Sequence, residues 1–340
     1  MKKLIVLLAL ALAVVTLPSS TGSAPKKVRC TDKANAALPL SLPVDGESAT
    51  GKYAVPRTPA DTLVVFAHGY SHKSDSWVEH MKDAAAEQGV IAVTMDYRGT
   101  YTDKDGNIRG WFVKEGADDM IAATHLFQDA CSSIKETIIF GVSMGGNASG
   151  LAVARAAEEK NAQDGPLFDY WFDVEGAVNV VETYAGAAFL APANAFAANA
   201  KADIEAEMGG NTFEQDPAGY ADLAVVSHVE EIAASGVKGV VVVHGVEDGL
   251  VPYNQSREIV ALFRANGIGT ESWTMIGKGE GESGTTITGY SGNDGSPGAG
   301  HASEASDTHV VMVAAFDRLW SLVSGEDLIP GYQEHIEPGV

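Results

Sequence analysis

The sequence predicts an α/β protein in which helices flank a mostly parallel central sheet. The apolar runs Thr62–Ala67, Val90–Met95 and Lys238–His244 lack the alternating polar positions of a half-exposed strand, as expected of strands buried on both faces. Stretches with apolar residues at helical spacing separate these runs, and strand–helix alternation is typical of a parallel sheet covered on both sides. The chain of 340 residues carries a formal charge of −22, which argues against a nucleic-acid partner because phosphates would be repelled.

Residues 1–24 have the pattern of a secretory signal peptide. Lys2 and Lys3 precede an apolar run from Leu4 to Val15, and small residues follow as far as Ala24. The run is too short to cross a bilayer comfortably, so no stable membrane anchor is expected. We therefore predict a secreted or periplasmic protein, with only an approximate cleavage site because a proline follows Ala24.

The remaining chain divides into an N-terminal extension, an α/β domain and a tail. Residues 25–60 are polar and irregular, with one or two edge strands, and the domain is expected at 61–325. Within the domain, the alanine-rich stretch 180–235 is broken by prolines and by Gly209–Gly210, which predicts several short helices. Their apolar faces need a surface to cover, so we expect a helical cap over the carboxyl edge of the sheet. Residues 326–340 are predicted to form a polar C-terminal tail.

Further elements follow in order along the domain. The apolar spacing predicts helices at 76–88, 115–130 and 254–266, and a last helix at 307–323. A glycine-rich, acidic loop is expected at 277–300, ahead of that last helix. Long loops without regular structure inside a domain are usually functional or mobile.

The sequence Gly141–Gly145 reads G-x-S-x-G and is the centre of the functional prediction. It follows the buried-strand pattern Thr137–Phe140 and precedes a small, helix-prone stretch that begins at Gly146. A tight strand-to-helix turn of this kind holds a serine hydroxyl at the edge of the sheet, and its neighbours must be small. We predict that Ser143 is the nucleophile of a hydrolase; an ordinary glycine-rich turn is the alternative.

A serine hydroxyl is a weak nucleophile and needs a base that is itself oriented by an acid. In sheets of this type both partners lie after later strands, in the order serine, acid, histidine. Asp248 follows the third apolar run and is the predicted acid, with Glu247 and Asp173 as alternatives. His301 lies in a loop before the last helix and is the predicted base, whereas the alternative, His309, would lie within that helix.

The oxyanion that forms during acyl transfer needs two backbone N–H donors. We predict the amide of Met144, directly after the nucleophile, and the amide of Tyr70, in the loop after the first apolar run. His68, in the same loop, is expected to have a structural role. The candidates for lining an apolar substrate pocket are Trp111, Tyr184 and Phe189.

The two cysteines, Cys30 and Cys131, would pair in an oxidising compartment if the fold brings them together, which the sequence leaves open. Neither has neighbours typical of a reactive thiolate or of a metal site. The acidic loop Asp103–Asn107 suggests calcium, but Ile108 stands where EF-hand spacing requires glycine. A turn built on Asp-Gly is therefore favoured, and no metal site is predicted.

The loop His68–Tyr70, the turn Gly141–Gly145, the turn at Asp248 and the pair Gly300–His301 together resemble the α/β-hydrolase superfamily over roughly 62–323. The resemblance, above all to secreted serine esterases and lipases, implies a Ser–Asp–His triad and no cofactor. The loop after the first strand is similar to the subset that has one glycine in its oxyanion loop rather than three. Two features depart from the simplest pattern, namely the helical insertion before Asp248 and the long loop before His301.

These observations predict a secreted serine hydrolase that cleaves a small-molecule or polymeric carboxylic ester through an acyl-enzyme intermediate. The preference for an ester is an analogy at the level of the fold, which hosts many esterases. The alternative is a secreted serine peptidase or amidase of the same fold. A non-catalytic binding protein would normally have lost part of the triad, which argues against that third possibility. The sequence does not fix the oligomeric state.

Overall fold

The computed structural model describes residues 28–276, 300–304, 306 and 308–338. The predicted signal peptide and all but the last residue of the predicted loop 277–300 lie outside these described residues.

The strands are β1 (Leu38–Val44), β2 (Glu47–Ala54), β3 (Thr62–Ala67), β4 (Ile91–Met95), β5 (Tyr101–Thr102), β6 (Ile108–Arg109), β7 (Glu136–Val142), β8 (Tyr170–Val174), β9 (Gly239–Gly245), β10 (Thr270–Ile276) and β11 (Tyr332–Pro338). The α-helices are α1 (Val78–Asp83), α2 (Val113–Ala130), α3 (Met144–Arg155), α4 (Val180–Leu190), α5 (Ala195–Glu207), α6 (Pro217–Leu223), α7 (Val229–Ala234), α8 (Asn254–Ala265) and α9 (Val310–Val323). Short 3₁₀ or π turns span Ser74–Trp77, Ala84–Gln88, Ala156–Glu158 and Val225–Ser227.

In the described part of the chain, nine strands form a central sheet in the order β1-β2-β4-β3-β7-β8-β9-β10-β11. Strands β1 and β2 form a hairpin that pairs antiparallel with β4. Every pair from β4 across to β11 is parallel. Strands β5 and β6 form a separate small hairpin. The predicted α/β fold with a mostly parallel sheet is therefore confirmed.

Helices cover both faces of this sheet, which explains the continuous apolar sequence of its inner strands. Successive side chains of a strand point to opposite faces, and in β3 Leu63 and Val65 join one apolar core while Phe66 joins the other. On the second face Phe66 stacks on Trp77 with ring centroids 4.7 Å apart and meets Phe140 edge-on at 5.6 Å. All six residues of β3 are buried as a result.

Helices α4 to α7 follow β8 in the chain and precede β9, at the place where the sequence predicts short helices. Local signals set their bounds. Asn194 caps α5 by accepting a hydrogen bond from the amide of Ala197, and Asp216 caps α6 with Pro217 at the first helical position. Helix α5 ends ahead of Gly209, which has a positive φ of 65°. We refer to α4, α5 and α6 together as the helical insertion.

The two ends of the chain are held to the domain in different ways. Cys30 and Cys131 form a disulfide that ties the N-terminal segment to the end of α2. At the other end, part of the predicted polar tail, Tyr332–Pro338, pairs in parallel with β10 as an outer strand. The last helix begins at Val310, later than the predicted residue 307. Among the described residues, none of the helices combines the length and the hydropathy needed to cross a membrane.

Candidate active site

Ser143 connects β7 to α3 in a backbone conformation that serine rarely adopts. Its φ of 58° and ψ of −123° lie outside the regions favoured by residues other than glycine. Its amide donates to the carbonyl of Val174 at 3.0 Å, and its carbonyl accepts from the amides of Gly146 at 2.9 Å and Ala177 at 3.0 Å. These bonds hold a strained residue at the carboxyl end of the parallel strands, as a nucleophile elbow requires.

The glycines around Ser143 are required by space. A Cβ atom added to Gly141 would lie 2.2 Å from the carbonyl oxygen of Gly145, and one added to Gly145 would lie 2.2 Å from the carbonyl oxygen of Ala67. Both distances are far below van der Waals contact, and both partners are backbone atoms that cannot rotate away. The G-x-S-x-G sequence therefore follows directly from how closely the strand, the turn and the helix approach one another.

Asp248 and His301 form a buried hydrogen-bonded pair. Nδ1 of His301 lies 2.6 Å from Oδ2 of Asp248, and the two residues are 2% and 8% exposed. The other oxygen of Asp248 accepts the amides of Leu250 at 2.8 Å and Val251 at 2.9 Å, which fixes the carboxylate after β9. Because the acidic side chain is immobilised in this way, it can set both the orientation and the tautomer of the imidazole.

Asp248 and His301 each shift the pKa of the other in the direction that favours its charged form. Burial lowers the pKa of His301, but the Asp248 carboxylate outweighs it and raises the value to about 9. Burial raises the pKa of Asp248, but His301 and His244 outweigh it and hold that pKa well below its ordinary value. The site therefore favours a carboxylate beside an imidazolium, which is the charge state that forms when a histidine base accepts a proton.

The loop His68–Tyr70 and the segment of His301 meet at Ser143. A Cβ atom added to Gly69 would lie 3.2 Å from Cβ of Ser143 and 3.0 Å from Oε1 of Glu304, three residues after His301. Nε2 of His301, the ring nitrogen opposite the one that faces Asp248, has no hydrogen-bond partner within the described residues. The structure therefore brings the elbow, the first loop and the histidine segment to the same end of the sheet.

The alternative acids and the alternative base lie elsewhere. Glu247 is exposed. Asp173 is buried within β8 against Gly146 and Gly176, where burial raises its pKa to about 7. His309 is the N-cap of α9 and not an interior residue as predicted; its Nδ1 accepts the amide of Val311 at 3.3 Å. The geometry thus favours Asp248 and His301 over the alternatives.

Of the two predicted oxyanion donors, Met144 follows Ser143 directly, and Tyr70 follows Gly69, where an added Cβ atom would lie 3.2 Å from Cβ of Ser143. Met144 is the first residue of α3, and the amides of a helix's first turn have no acceptor within the helix. The peptide that carries the Tyr70 amide is held by a 3.0 Å contact between Nδ1 of His68 and the carbonyl oxygen of Gly69. His68 is fully buried and stacks on Tyr97, which agrees with its expected structural role. Across the described residues, neither amide donates to a protein acceptor.

Two buried acids near the site were missed by the sequence analysis. Glu175, directly after β8, accepts the amides of Gly245 at 3.1 Å and Ala302 at 2.6 Å. Glu304 accepts the amide of Gly69 and lies 2.5 Å from Nδ1 of His72. Glu175 lies just past a strand end, which is the pattern that marks Asp248. The sequence around Glu304 contains no pattern that would have predicted a place for it in the site.

Glu175, Asp248 and His301 also bring three ligand-type atoms within 4.8 Å of one another, the spacing of a small metal site. Their atoms have other partners, however. Both oxygens of Glu175 accept backbone amides, one oxygen of Asp248 does the same, and the other faces Nδ1 of His301. A cation would compete with these hydrogen bonds for the same lone pairs. We therefore interpret Glu175 and Asp248 as residues that hold His301 in position rather than as metal ligands.

The three residues predicted to line an apolar pocket have different environments. Trp111 is buried, and its ring lies 5.8 Å from that of Tyr70, so it reaches the oxyanion loop. Tyr184 packs inside the helical insertion, with its ring against Tyr220 and its hydroxyl donating to Glu205 at 2.7 Å. Phe189 is 84% exposed on α4. Trp111 alone of these three is placed beside the site by its described contacts, and the role predicted for Tyr184 and Phe189 stays a prediction.

The sheet, the nucleophile elbow and the buried Asp248–His301 pair define a serine hydrolase of the α/β-hydrolase fold, as the sequence resemblance implied. The chain belongs to the prolyl oligopeptidase family, whose sequence model matches residues 76–281. No curated protein sequence gives a significant match.

Solved structures share the fold at low sequence identity. The chain is similar to a puromycin hydrolase (14% identity, TM-score 0.56, covering 90% of this chain and 40% of that one). It is also similar to a puromycin-hydrolyzing peptidase of Mycobacterium tuberculosis (16%, 0.54, 90% and 42%). A third is an acylaminoacyl peptidase in complex with Z-Gly-Gly-Phe-chloromethyl ketone (17%, 0.54, 88% and 42%). This chain therefore spans about two fifths of the length of these proteins.

Proposed function

We propose that this protein is a serine peptidase or amidase that cleaves an acyl–nitrogen bond, rather than the carboxylic-ester hydrolase that the sequence first predicts. Membership of the prolyl oligopeptidase family supports this choice. Two of the similar structures are peptidases, which points the same way. Since this chain matches only about two fifths of those proteins, their substrates are not transferred to it.

One observation carries the mechanism: Asp248 binds Nδ1 of His301 at 2.6 Å and leaves Nε2 without a described partner. In the proposed reaction Nε2 takes the proton of the Ser143 hydroxyl, and the serine oxygen attacks the acyl carbon. The amides of Tyr70 and Met144 donate to the oxyanion that develops on the carbonyl oxygen. His301 then gives its proton to the departing nitrogen, and later it activates the water that releases the acyl group.

Cleavage of an amide depends on the proton that His301 carries after the serine has attacked. An amine departs poorly unless its nitrogen is protonated, so the proton held by the imidazolium must be delivered to it. The Asp248 carboxylate, opposing the effect of burial, raises the pKa of His301 to about 9 and so stabilises that imidazolium. A phenolate ester needs less help at this step, which is why comparing the two substrate types is informative.

The first experiment is labelling with a fluorophosphonate. Intact mass and peptide mapping are expected to place the adduct on Ser143, and Ser143→Ala is expected to prevent it. Unlabelled wild-type protein should then show a higher ratio of kcat/KM for aminoacyl-p-nitroanilides to kcat/KM for short p-nitrophenyl esters than an ordinary esterase does. Turnover of the esters alone would return the function to ester hydrolysis. A folded wild-type protein that takes no label would indicate a non-catalytic binding protein.

A second experiment tests the base. His301→Ala is expected to reduce the rate of labelling by about a thousandfold or more, because nothing then accepts the serine proton. His309→Ala is the matched control, since it removes an N-cap from α9 and should lower stability by about 1 kcal/mol while leaving the labelling rate near that of the wild type. The reverse result, a loss confined to His309→Ala, would show that the base is misassigned.

We also propose that the protein is exported. The basic start and the apolar run of residues 1–24 motivate this, and the disulfide between Cys30 and Cys131 is of a kind that persists in oxidising compartments. Expression of the full chain in a bacterial host, followed by N-terminal sequencing of the extracellular or periplasmic protein, tests it. Removal of a segment ending near Ala24 is expected; recovery of an uncleaved chain in the cytoplasm contradicts it.

A further inference from the structure

Glu175 connects three parts of the candidate site through one buried carboxylate. It follows β8 directly and is completely buried. Oε1 accepts the amide of Gly245, at the end of β9, at 3.1 Å. Oε2 accepts the amide of Ala302 at 2.6 Å and lies 3.4 Å from Nδ1 of His301. The residue thus links two neighbouring strands to the backbone of the proposed base and approaches its ring.

The backbone around Glu175 is specialised for this arrangement. Glu175 itself has a φ of 47°, in the left-handed region that a residue with a long side chain seldom occupies. Its amide donates to the carbonyl of Val243 at 2.9 Å, which holds it in that conformation. A Cβ atom on Gly245 would lie only 3.0 Å from Oε1, so the glycine leaves room for the carboxylate. Strain that persists at a buried polar residue commonly marks a functional site.

Two carboxylates face one imidazole in this cluster. The charged or titratable groups that act on Glu175 are Asp248 and His244, both from β9 or the loop after it, and His301 from the loop before α9. Burial, and then the charge of Asp248, raises the pKa of Glu175 to about 7. Nδ1 of His301 lies 2.6 Å from Asp248 and 3.4 Å from Glu175. A small rotation of the ring would therefore exchange the nearer acceptor for the farther one.

We propose that Glu175 is a positioning residue that acts through His301, holding its backbone at Ala302 and offering a second carboxylate that can accept the Nδ1 proton in place of Asp248. This inference rests on the proposed function, since it presumes that His301 is the base for Ser143. Asp248 remains the nearer acceptor in the wild-type protein. Glu175 keeps the imidazole in the productive tautomer when Asp248 is removed.

The test is a double-mutant cycle that needs no knowledge of the natural substrate. The second-order rate constant for fluorophosphonate labelling of Ser143 is measured for wild type, Asp248→Asn, Glu175→Gln and the double variant. If Glu175 substitutes for Asp248, the single variants lose about 10- to 100-fold, and the double variant loses at least about tenfold more than the product of the single losses. Independent losses in the double variant would overturn the inference.

Asp169 provides a matched control. It is also a buried acid beside β8, accepting the amide of Thr137 at 2.8 Å and pairing with Lys238 at 2.9 Å, but it precedes the strand instead of following it. Asp169→Asn is expected to lower stability like the loss of any buried acid. Combined with Asp248→Asn, it should give labelling rates equal to the product of the single effects. The same excess loss with Asp169→Asn would show that the coupling is merely structural and would overturn the inference.

Asp248→Asn also decides the matter if Glu175→Gln does not fold. Replacing the acid of a triad by asparagine costs about 10⁴-fold where no other group can hold the correct tautomer. With Glu175 in place, we expect Asp248→Asn to retain about 1% or more of the wild-type labelling rate, and a loss near 10⁴-fold would overturn the proposal. A wild-type protein that is not labelled at Ser143 would instead refute the proposed function, so the two failures are distinguishable.

Discussion

The hydroxyl of Tyr70 donates a hydrogen bond of 2.6 Å to Oδ2 of Asp203, and this contact joins the oxyanion loop to helix α5 of the helical insertion. The same carboxylate accepts Nε and Nη2 of Arg109, each at 2.8 Å, and the amide of Gly110 at 3.0 Å. Tyr70 also packs edge-on against Phe196 of α5 at 5.3 Å. The buried carboxylate of Asp203 therefore fixes the position of the helical insertion relative to Tyr70, whose backbone amide is a candidate oxyanion donor.

Asp203→Ala is expected to be strongly destabilising. It would leave the Arg109 side chain, 15% exposed, without its nearer carboxylate partner, since Asp103 lies 4.0 Å away, and breaking a buried ion pair in this way costs about 3–5 kcal/mol. Tyr70→Phe removes one hydrogen bond and should cost about 1 kcal/mol. It should leave the labelling of Ser143 nearly unchanged, because the proposed donor is the backbone amide. Urea unfolding measures the stabilities.

The control for this prediction is Glu79→Ala, which removes the partner of Lys82 in an exposed ion pair on α1. Exposed pairs contribute about 0–1 kcal/mol. If Asp203→Ala costs no more than Glu79→Ala, the Asp203 cluster does not hold the insertion in place.

Gly145→Ala is expected to disrupt the elbow. The new methyl group would lie 2.2 Å from the backbone carbonyl of Ala67, so α3 would have to move away from β3, at a cost of about 3 kcal/mol or more. Gly186→Ala is the matched control, because no atom lies within 4 Å of a Cβ at that position in α4. It should stabilise the protein by up to about 1 kcal/mol through helix propensity. Thermal unfolding and the rate of Ser143 labelling are measured for both variants. Equal stabilities and equal labelling rates would contradict the steric argument.

The elbow could be predicted from the sequence because most of its constraints are local, the exception being the approach of Gly145 to Ala67. The strained φ of Ser143 and the clash between positions 141 and 145 involve residues within one turn of chain. Asp248 and His301 could be chosen because parallel strands bring their carboxyl ends to one edge of the sheet, so chain order limits the candidates. The parallel sheet itself could be predicted because its strands are apolar runs without alternating polar residues, as expected of strands buried on both faces.

Contacts across long sequence separations could not be predicted in the same way. Glu304 contacts a residue 235 positions away, and no local pattern marks it. Glu175 lies just past a strand end, but its contact with a residue 127 positions away is not visible in the sequence around it. Helix α4 is apolar around most of its circumference, and its sequence therefore does not tell which face is covered. For that reason Tyr184 and Phe189 were both assigned to a pocket, although one is buried in the insertion and the other is exposed.

The disulfide is expected to contribute substantially to stability. Cys30 and Cys131 are separated by 101 positions, and closing a loop of that size is worth about 4–5 kcal/mol in the chain-entropy model. Replacing both cysteines by serine should lower the free energy of unfolding by that order, as measured by urea unfolding of the oxidised wild type and the variant. Because the bond lies at the end of α2, Ser143 should be labelled at a similar rate in whatever fraction remains folded. A variant as stable as the oxidised wild type would contradict the prediction.

The buried pair of Glu304 and His72 should make stability depend on pH. Burial raises the pKa of Glu304, but His72 outweighs it and lowers the value to about 2 from an ordinary 4.5. The folded state therefore binds this proton less readily than the unfolded state, so the stabilisation is complete above about pH 4.5 and is lost as the pH falls toward 2. At about 1.4 kcal/mol per pKa unit, the contribution is on the order of 3 kcal/mol. For His72, Glu304 raises the pKa above 6.5, so its contribution is complete below that pH and is lost as the pH rises further.

The pair is thus most stabilising between about pH 4.5 and 6.5, where both groups are charged in the folded state. Glu304→Gln should reduce the free energy of unfolding most near the middle of this window. The difference from wild type should shrink at about pH 3, because the wild-type carboxylate is then losing the same advantage. Urea unfolding across this range, with Glu87→Gln at an exposed position as control, provides the measurement. A difference that stays constant with pH would mean that Glu304 stabilises the loop Gly69–Tyr70 through its shape and hydrogen bonds alone, without a contribution from its charge.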